Sequence, residues 1–184
     1  MRSLVLLAVL IILPIFTNAQ STDAIQTFAT AVAESRAGDH AKALEGFERT
    51  LAISERDHSS DAFFAKVHYN AGVSLYHLDR TFESAAHLEK ALNYAKGRYA
   101  KAYYVLGLIG LESNDFESAE KSLKAAASLD NRNGDTWYDL SRVYVALDEP
   151  VKAKRAYDKA VKNGAIVNRT DAAGRSIAAL ATYE

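Results

Sequence analysis

Small and large apolar residues recur along the second half of the chain at a spacing of 34 residues. The first set of three, Tyr103, Leu106 and Gly107, reappears as Trp137, Leu140 and Ser141. A second set of three follows at the same spacing: Ala119, Leu123 and Ala126 reappear 34 residues later as Ala153, Tyr157 and Ala160. Steps of three and four residues keep side chains on one face of a helix. The pattern therefore predicts repeated pairs of amphipathic helices.

Two earlier segments carry the same features at less regular spacing. Gly72 lies 35 residues before Gly107, and Ala31 lies a further 41 residues back. The one extra residue of the first step falls near Thr81 and Phe82, and those of the second step fall in the polar stretch 54–60, which suits a longer loop. We therefore expect four units, at approximately 24–58, 61–96, 98–131 and 133–164.

The repeated unit resembles the tetratricopeptide repeat, in which a first helix carries W-x2-L-[GAS]-x2-Y and a second helix carries A-x3-[FYL]-x2-A. The last unit, from Trp137 to Ala160, matches each of these positions. The resemblance implies an all-α fold, a right-handed superhelical solenoid of about four helix-turn-helix units with the first helix of each unit on the concave side. A single unit cannot bury its own apolar faces, so neighbouring units must stack.

The segment after the fourth unit has the features of a capping helix. Thr170 can N-cap a helix in which Ile177 and Leu180 fall on one face. We expect this C-terminal capping helix at approximately 170–182, weakened at Gly174 because glycine disfavours helix interiors.

The first residues have the order of an export signal. Arg2 is followed by an apolar run from Leu4 to Phe16 and by the small-residue site Thr17-Asn18-Ala19. An uncleaved anchor is disfavoured because a membrane-spanning helix needs about 20 apolar residues. The sequence predicts a signal peptide at 1–19 and a repeat domain at 20–184, periplasmic in a bacterium and secreted otherwise. The sequon at Asn168 matters only in a eukaryotic source.

Composition narrows the classes of function. The chain contains no cysteine, so it is neither a lipoprotein nor a disulfide-bonded protein. Its formal net charge is -1, with basic and acidic residues interspersed, which argues against a nucleic-acid partner. The five histidines show no i, i+4 spacing, and no nucleophile elbow or phosphate-binding loop occurs. We therefore expect no enzymatic activity, no cofactor and no metal site.

The resemblance also implies which residues line the concave groove, since groove positions lie on the first helices. In units two to four these positions are Lys66, Tyr69, Asn70, Val73, Tyr76, His77, Lys101, Tyr104, Val105, Leu108, Leu111, Asp135, Tyr138, Asp139 and Arg142. The middle of this groove is apolar and rich in tyrosine, which suits protein recognition. The alternative is that several of these aromatic residues pack against the neighbouring unit instead.

The resulting hypothesis is a scaffold of the cell envelope or secretory space that binds a peptide or protein segment in its groove. A clamp for a C-terminal carboxylate, known in some relatives, is incomplete because Val105, Leu108 and Leu111 stand where polar partners would be needed. The alternative hypothesis is a structural component that self-associates, or caps an envelope complex, through its end surfaces. We expect no membrane span once the signal peptide is removed.

Overall fold

The computed structural model describes residues 22–165, which form eight α-helices and no strand. The helices are α1 (Thr22–Arg36), α2 (His40–Arg56), α3 (Asp61–His77), α4 (Thr81–Tyr94), α5 (Ala100–Glu112), α6 (Phe116–Leu129), α7 (Gly134–Ala146) and α8 (Pro150–Lys162). The predicted signal peptide at 1–19, the capping helix at 170–182 and the sequon at Asn168 lie outside the described residues.

Polar side chains cap several helices and so fix where they begin. Asp39, Ser60, Asp115 and Asn133 precede α2, α3, α6 and α7, and each accepts a hydrogen bond from a backbone N–H in the first turn. These bonds satisfy donors that the helix itself leaves unpaired. The helix starts are therefore encoded locally.

The turn inside each pair of helices contains one residue with a left-handed backbone. These residues are Gly38, Asp79, Asn114 and Asp148, with φ of 86°, 59°, 58° and 56°. Glycine adopts this conformation freely, and Asn and Asp tolerate it better than other residues. Repetition of the same turn makes each pair of helices fold back in the same way.

Close approach within each pair depends on small residues. A Cβ atom added to Gly107 would stand 2.5 Å from Cγ of Leu123, and one added to Gly72 would stand 2.9 Å from Cγ of Leu88. The Ser84 hydroxyl on α4 also donates a hydrogen bond of 2.7 Å to the carbonyl oxygen of Gly72 on α3. These small residues let each leucine of the second helix reach the backbone of the first, where both leucines are fully buried.

The two helices of a unit differ in how they meet the neighbouring units. The first helices α1, α3, α5 and α7 contact one another in succession, whereas successive second helices have no Cα atoms within 8 Å of each other in the described chain. The side where helices approach is the inner side of a curved stack, so the first helices lie on the concave side. The predicted all-α repeat solenoid is confirmed.

None of the helices in the described part of the chain combines the length and the apolar character needed to cross a membrane.

Candidate partner-binding groove

The predicted groove residues occupy three first helices. Six lie on α3 (Lys66, Tyr69, Asn70, Val73, Tyr76, His77), five on α5 (Lys101, Tyr104, Val105, Leu108, Leu111) and four on α7 (Asp135, Tyr138, Asp139, Arg142). All of these residues belong to first helices, which contact one another in succession. We call this set of residues the groove surface.

Members of the groove surface differ in exposure. Lys66, His77, Lys101 and Arg142 are exposed, whereas the four tyrosines together with Asn70, Val73 and Leu108 are partly buried. Val105 and Asp139 are buried, with 7% and 6% of their surface exposed. The surface available to a partner therefore consists mainly of the tyrosines and the flanking charged residues.

Several α3 residues of the groove surface also support the packing between units two and three. Tyr69, Val73 and Tyr76 pack against a buried cluster that includes Leu88 of α4 and Val105 of α5. The rings of Tyr69 and Tyr99 lie 5.0 Å apart. Tyr69 and Tyr76 therefore pack partly against the neighbouring unit, as the alternative interpretation expects, and keep part of their surface exposed.

A buried carboxylate joins the third and fourth units. The Tyr104 hydroxyl donates a hydrogen bond of 2.9 Å to Oδ2 of Asp139, and Nη1 of Arg142 lies 2.8 Å from Oδ1 of the same side chain. Burial raises the pKa of Asp139, and the bonds from Arg142 and Tyr104 oppose this effect. Burial and the neighbouring Asp139 raise the pKa of the Tyr104 hydroxyl. Asp139 is thus a bridging residue rather than a free contact for a partner.

A second bond of this kind joins units two and three, and its acceptor is not among the predicted groove residues. The Tyr76 hydroxyl donates to Oε1 of Glu112, an exposed residue at the end of α5. Burial and then the bond with Glu112 raise the pKa of Tyr76. The separation of 36 residues between Tyr76 and Glu112, about one repeat, is the signal in the sequence that could have identified this pair.

The remaining predicted residues have more local surroundings. The Asn70 side-chain amide donates to the backbone carbonyl of Lys66 at 2.8 Å. His77 stacks on His40 with ring centroids 4.3 Å apart. The rings of Tyr138 and Tyr157 lie 6.4 Å apart. Asn70 therefore keeps its amide oxygen for a partner, while His77 belongs to the boundary between the first two units.

Metal-binding capacity is limited in the described residues. Within 22–165, no cluster of three or more His, Cys, Asp or Glu side chains is placed to hold a metal ion.

The fold and the groove surface define a helical repeat solenoid of the kind built from helix-turn-helix units. Residues 110–165, from the end of α5 through α8, match the family model described as a tetratricopeptide repeat. Residues 110–165 therefore carry the tetratricopeptide repeat, and the other described helices form the same kind of antiparallel helix pairs.

Solved structures of other repeat proteins are similar to this one. MamA from Desulfovibrio magneticus RS-1 gives a TM-score of 0.66 at 20% identity over 78% of this chain and 77% of that chain. PilF from Pseudomonas aeruginosa gives a TM-score of 0.69 at 19% identity, covering 89% of this chain and 70% of that chain. BtubC from P. vanneervenii gives 0.69 at 20% identity over 81% and 68%. Identities this low establish the fold alone. No curated protein sequence gives a significant match.

Proposed function

We propose that this protein is a non-enzymatic scaffold that holds a segment of a partner protein against its groove surface. The observation that carries the proposal is the row of partly exposed tyrosines on three successive first helices, Tyr69 and Tyr76 on α3, Tyr104 on α5 and Tyr138 on α7. Tyrosine combines a large contact area with a polar tip and loses little conformational entropy on binding.

Preorganisation supports this role for the tyrosines. The hydroxyls of Tyr76 and Tyr104 are held by carboxylates of the following unit, and the ring of Tyr69 packs beside Tyr99. Side chains that are already fixed before binding do not have to be ordered by the partner, which reduces the entropic cost of association. We therefore expect the groove surface to act as a rigid template.

The chemistry of the groove surface favours an apolar or mixed partner segment. Leu108 and Leu111, on α5 of the third unit, are partly buried and offer no hydrogen-bond partner to a charged group. Arg142 is already paired with Asp139, so its guanidinium orients a ligand more than it attracts one. With a small interface of under about 1,200 Å², we expect roughly micromolar affinity governed by a few aromatic anchors.

The test begins with capture of the partner by the full chain from its native compartment. Replacing both Tyr104 and Tyr138 with alanine should weaken binding of the identified partner at least about tenfold, because each removes aromatic contact area. The matched control replaces Lys121 and Lys124, which are exposed on the second helix α6. Melting curves must first show that both double variants are folded.

Two outcomes would contradict the groove assignment. One is normal binding by the tyrosine double variant together with loss of binding by the lysine double variant, which would place the partner on the outer side. The other is a strong dependence on salt, since affinity based on aromatic area should change little between low and moderate ionic strength.

A second candidate function is self-association, or attachment to an envelope assembly, through the end surfaces. Ile25 on α1 and Val151 on α8 expose 47% and 64% of their surface near the two ends of the described solenoid. Light scattering on the purified chain separates the candidates, because a stable dimer or longer array would favour assembly and a monomer would favour the scaffold.

We also propose that the protein acts outside the cytosol, as the predicted signal peptide at 1–19 indicates. The intact mass of the native protein tests this directly. A mass corresponding to a chain that begins at Gln20 is expected, whereas a cytosolic protein that still begins at Met1 would refute export.

A further inference from the structure

A cavity of about 800 Å³ opens on the outer side of the solenoid, between the second helices α2 and α4 and above α3. We call it the outer cleft. It exists because successive second helices stand apart while the first helices touch. Its walls carry two histidines, three carboxylates and one ammonium group, from His68, His87, Glu48, Glu55, Asp61 and Lys90.

The two histidines of the outer cleft face each other through the same ring atom. Nδ1 of His68 on α3 lies 3.2 Å from Nδ1 of His87 on α4. The ring of His68 stacks on Tyr94 with centroids 5.6 Å apart, and Tyr94 in turn stacks on Phe64 at 5.0 Å. The aromatic stack fixes the orientation of His68, so the approach of the two nitrogen atoms is built into the helix pair.

We propose that His68 and His87 bind a divalent transition-metal ion of the zinc class through their Nδ1 atoms, with water in the remaining coordination positions. Zn–N bonds of about 2.0–2.1 Å in a tetrahedral site place two ligand nitrogens about 3.3 Å apart. The observed distance of 3.2 Å between the two Nδ1 atoms is close to this nitrogen–nitrogen distance. Across the hydrogen bond the two nitrogen atoms point at each other, so on metal binding the ring of His87 must turn until both lone pairs point at the ion, while the two helices keep their spacing.

The protons of the two imidazoles allow the hydrogen bond to be replaced by bonds to a metal ion. In the hydrogen bond, one Nδ1 carries the proton and the other accepts it, whereas metal binding requires lone pairs on both Nδ1 atoms. The proton therefore moves, through solvent, from Nδ1 to Nε2 of the same ring, and no net proton is released. Burial lowers the pKa of both imidazoles, to about 4 for His68, and so favours their neutral forms.

Charge in the outer cleft is mixed. Glu48, Glu55 and Asp61 place three carboxylates on its walls, whereas Lys90 acts on both imidazoles and Arg80 and Glu83 act on His87. No third His, Asp or Glu joins the histidine pair in a metal-binding group anywhere in residues 22–165. The ion would therefore keep open positions that face the cleft, and we expect moderate affinity rather than the tight binding of a closed structural site.

The chain offers a matched control in its other histidine pair. His40 and His77 are stacked with ring centroids 4.3 Å apart and an interplanar angle of 14°. The lone pairs of imidazole lie in the ring plane, so two parallel stacked rings cannot direct nitrogen atoms at one ion between them. A variant at His40 should therefore leave metal binding unchanged.

The experiment is calorimetric titration of the full chain, prepared without a histidine tag, with Zn²⁺ near pH 7.5. One ion per chain is expected, with a dissociation constant on the order of 10 µM. His87→Gln should weaken binding at least about tenfold, while His40→Gln should bind as the unsubstituted chain does. His87 is partly exposed, so its replacement is not expected to prevent folding.

A measurement on the unsubstituted chain makes the test independent of any variant. Imidazole ¹⁵N resonances of His68 and His87 should shift with saturating Zn²⁺, while those of His40, His58 and His77 stay in place. Absence of binding up to millimolar Zn²⁺, equal affinity of the His87→Gln variant, or shifts at His58 instead would each overturn the proposal.

Discussion

Helix α3 presents different chemistry on its two sides. Toward the groove surface, Tyr76 is bonded to Glu112 of the next unit, whereas toward the outer cleft His68 is bonded to His87 of its own unit. The difference follows from the curvature, since first helices touch across unit boundaries and second helices do not. Polar groups on the inner side therefore fix how units are arranged, and those on the outer side remain facing an open cavity.

The largest expected effect comes from breaking the close packing on which both sides depend. Gly107→Leu should lower the free energy of unfolding by about 3 kcal/mol, the upper end of the usual cost of overpacking. The new side chain would collide with Leu123, whose Cγ would stand 2.5 Å from the added Cβ. Chemical denaturation followed by circular dichroism measures the change.

Lys121→Leu provides the control for this substitution because it adds the same side chain at an exposed position of α6. Its effect should stay within about 0.5 kcal/mol, as is typical of surface changes. Equal stability of the two variants would contradict the assignment of Gly107 to the contact between the helices.

A smaller effect is expected from the bridge between units on the inner side. Tyr104→Phe removes a hydrogen-bond donor from Asp139, which is only 6% exposed, and should cost about 1–2 kcal/mol because a buried carboxylate loses a partner. Tyr76→Phe removes the equivalent bond to Glu112, which is exposed and can be rehydrated. Its cost should be below about 0.5 kcal/mol. If both variants lost the same stability, burial would not be what distinguishes the two bridges.

The last expected effect is that of acidification on the outer cleft. Burial lowers the pKa of His68 to about 4, with His87 and Lys90 adding to the shift, and also lowers the pKa of His87. A depressed histidine pKa means that the unfolded chain takes up protons first, so the stability contributed by the neutral pair is present above about pH 6.5. It is lost as the pH falls from there toward 4.

Melting temperatures between pH 7 and pH 4.5, measured with a chelator present, test this expectation. His87→Gln should show a smaller loss of melting temperature over that range than the unsubstituted chain does, because one titrating imidazole is gone. His58→Gln is the control, since His58 is exposed and lies in the loop before α3. A steeper pH dependence in the His87→Gln variant would show that the pair does not disfavour protonation.

The sequence by itself determined the repeat architecture. Small residues such as Gly72, Gly107 and Ser141, with large apolar residues at fixed offsets, predict stacked pairs of helices because helix faces depend only on local spacing. The same spacing identified which side chains belong to first helices, including Tyr69, Tyr104 and Tyr138. Helix periodicity is a property of the chain within a few turns, so no knowledge of the tertiary structure was needed.

Only the tertiary structure decided which polar groups meet. Glu112 escaped prediction because its partner Tyr76 lies on another unit, and Asp139 is a buried bridge rather than an exposed contact. His68 and His87 are 19 residues apart on different helices, with none of the spacing typical of ligand pairs on one helix. Whether two polar side chains on different helices come within hydrogen-bond distance depends on the rotation and offset of the packed helices, to within about an ångström. The packing of the whole stack sets that rotation and offset.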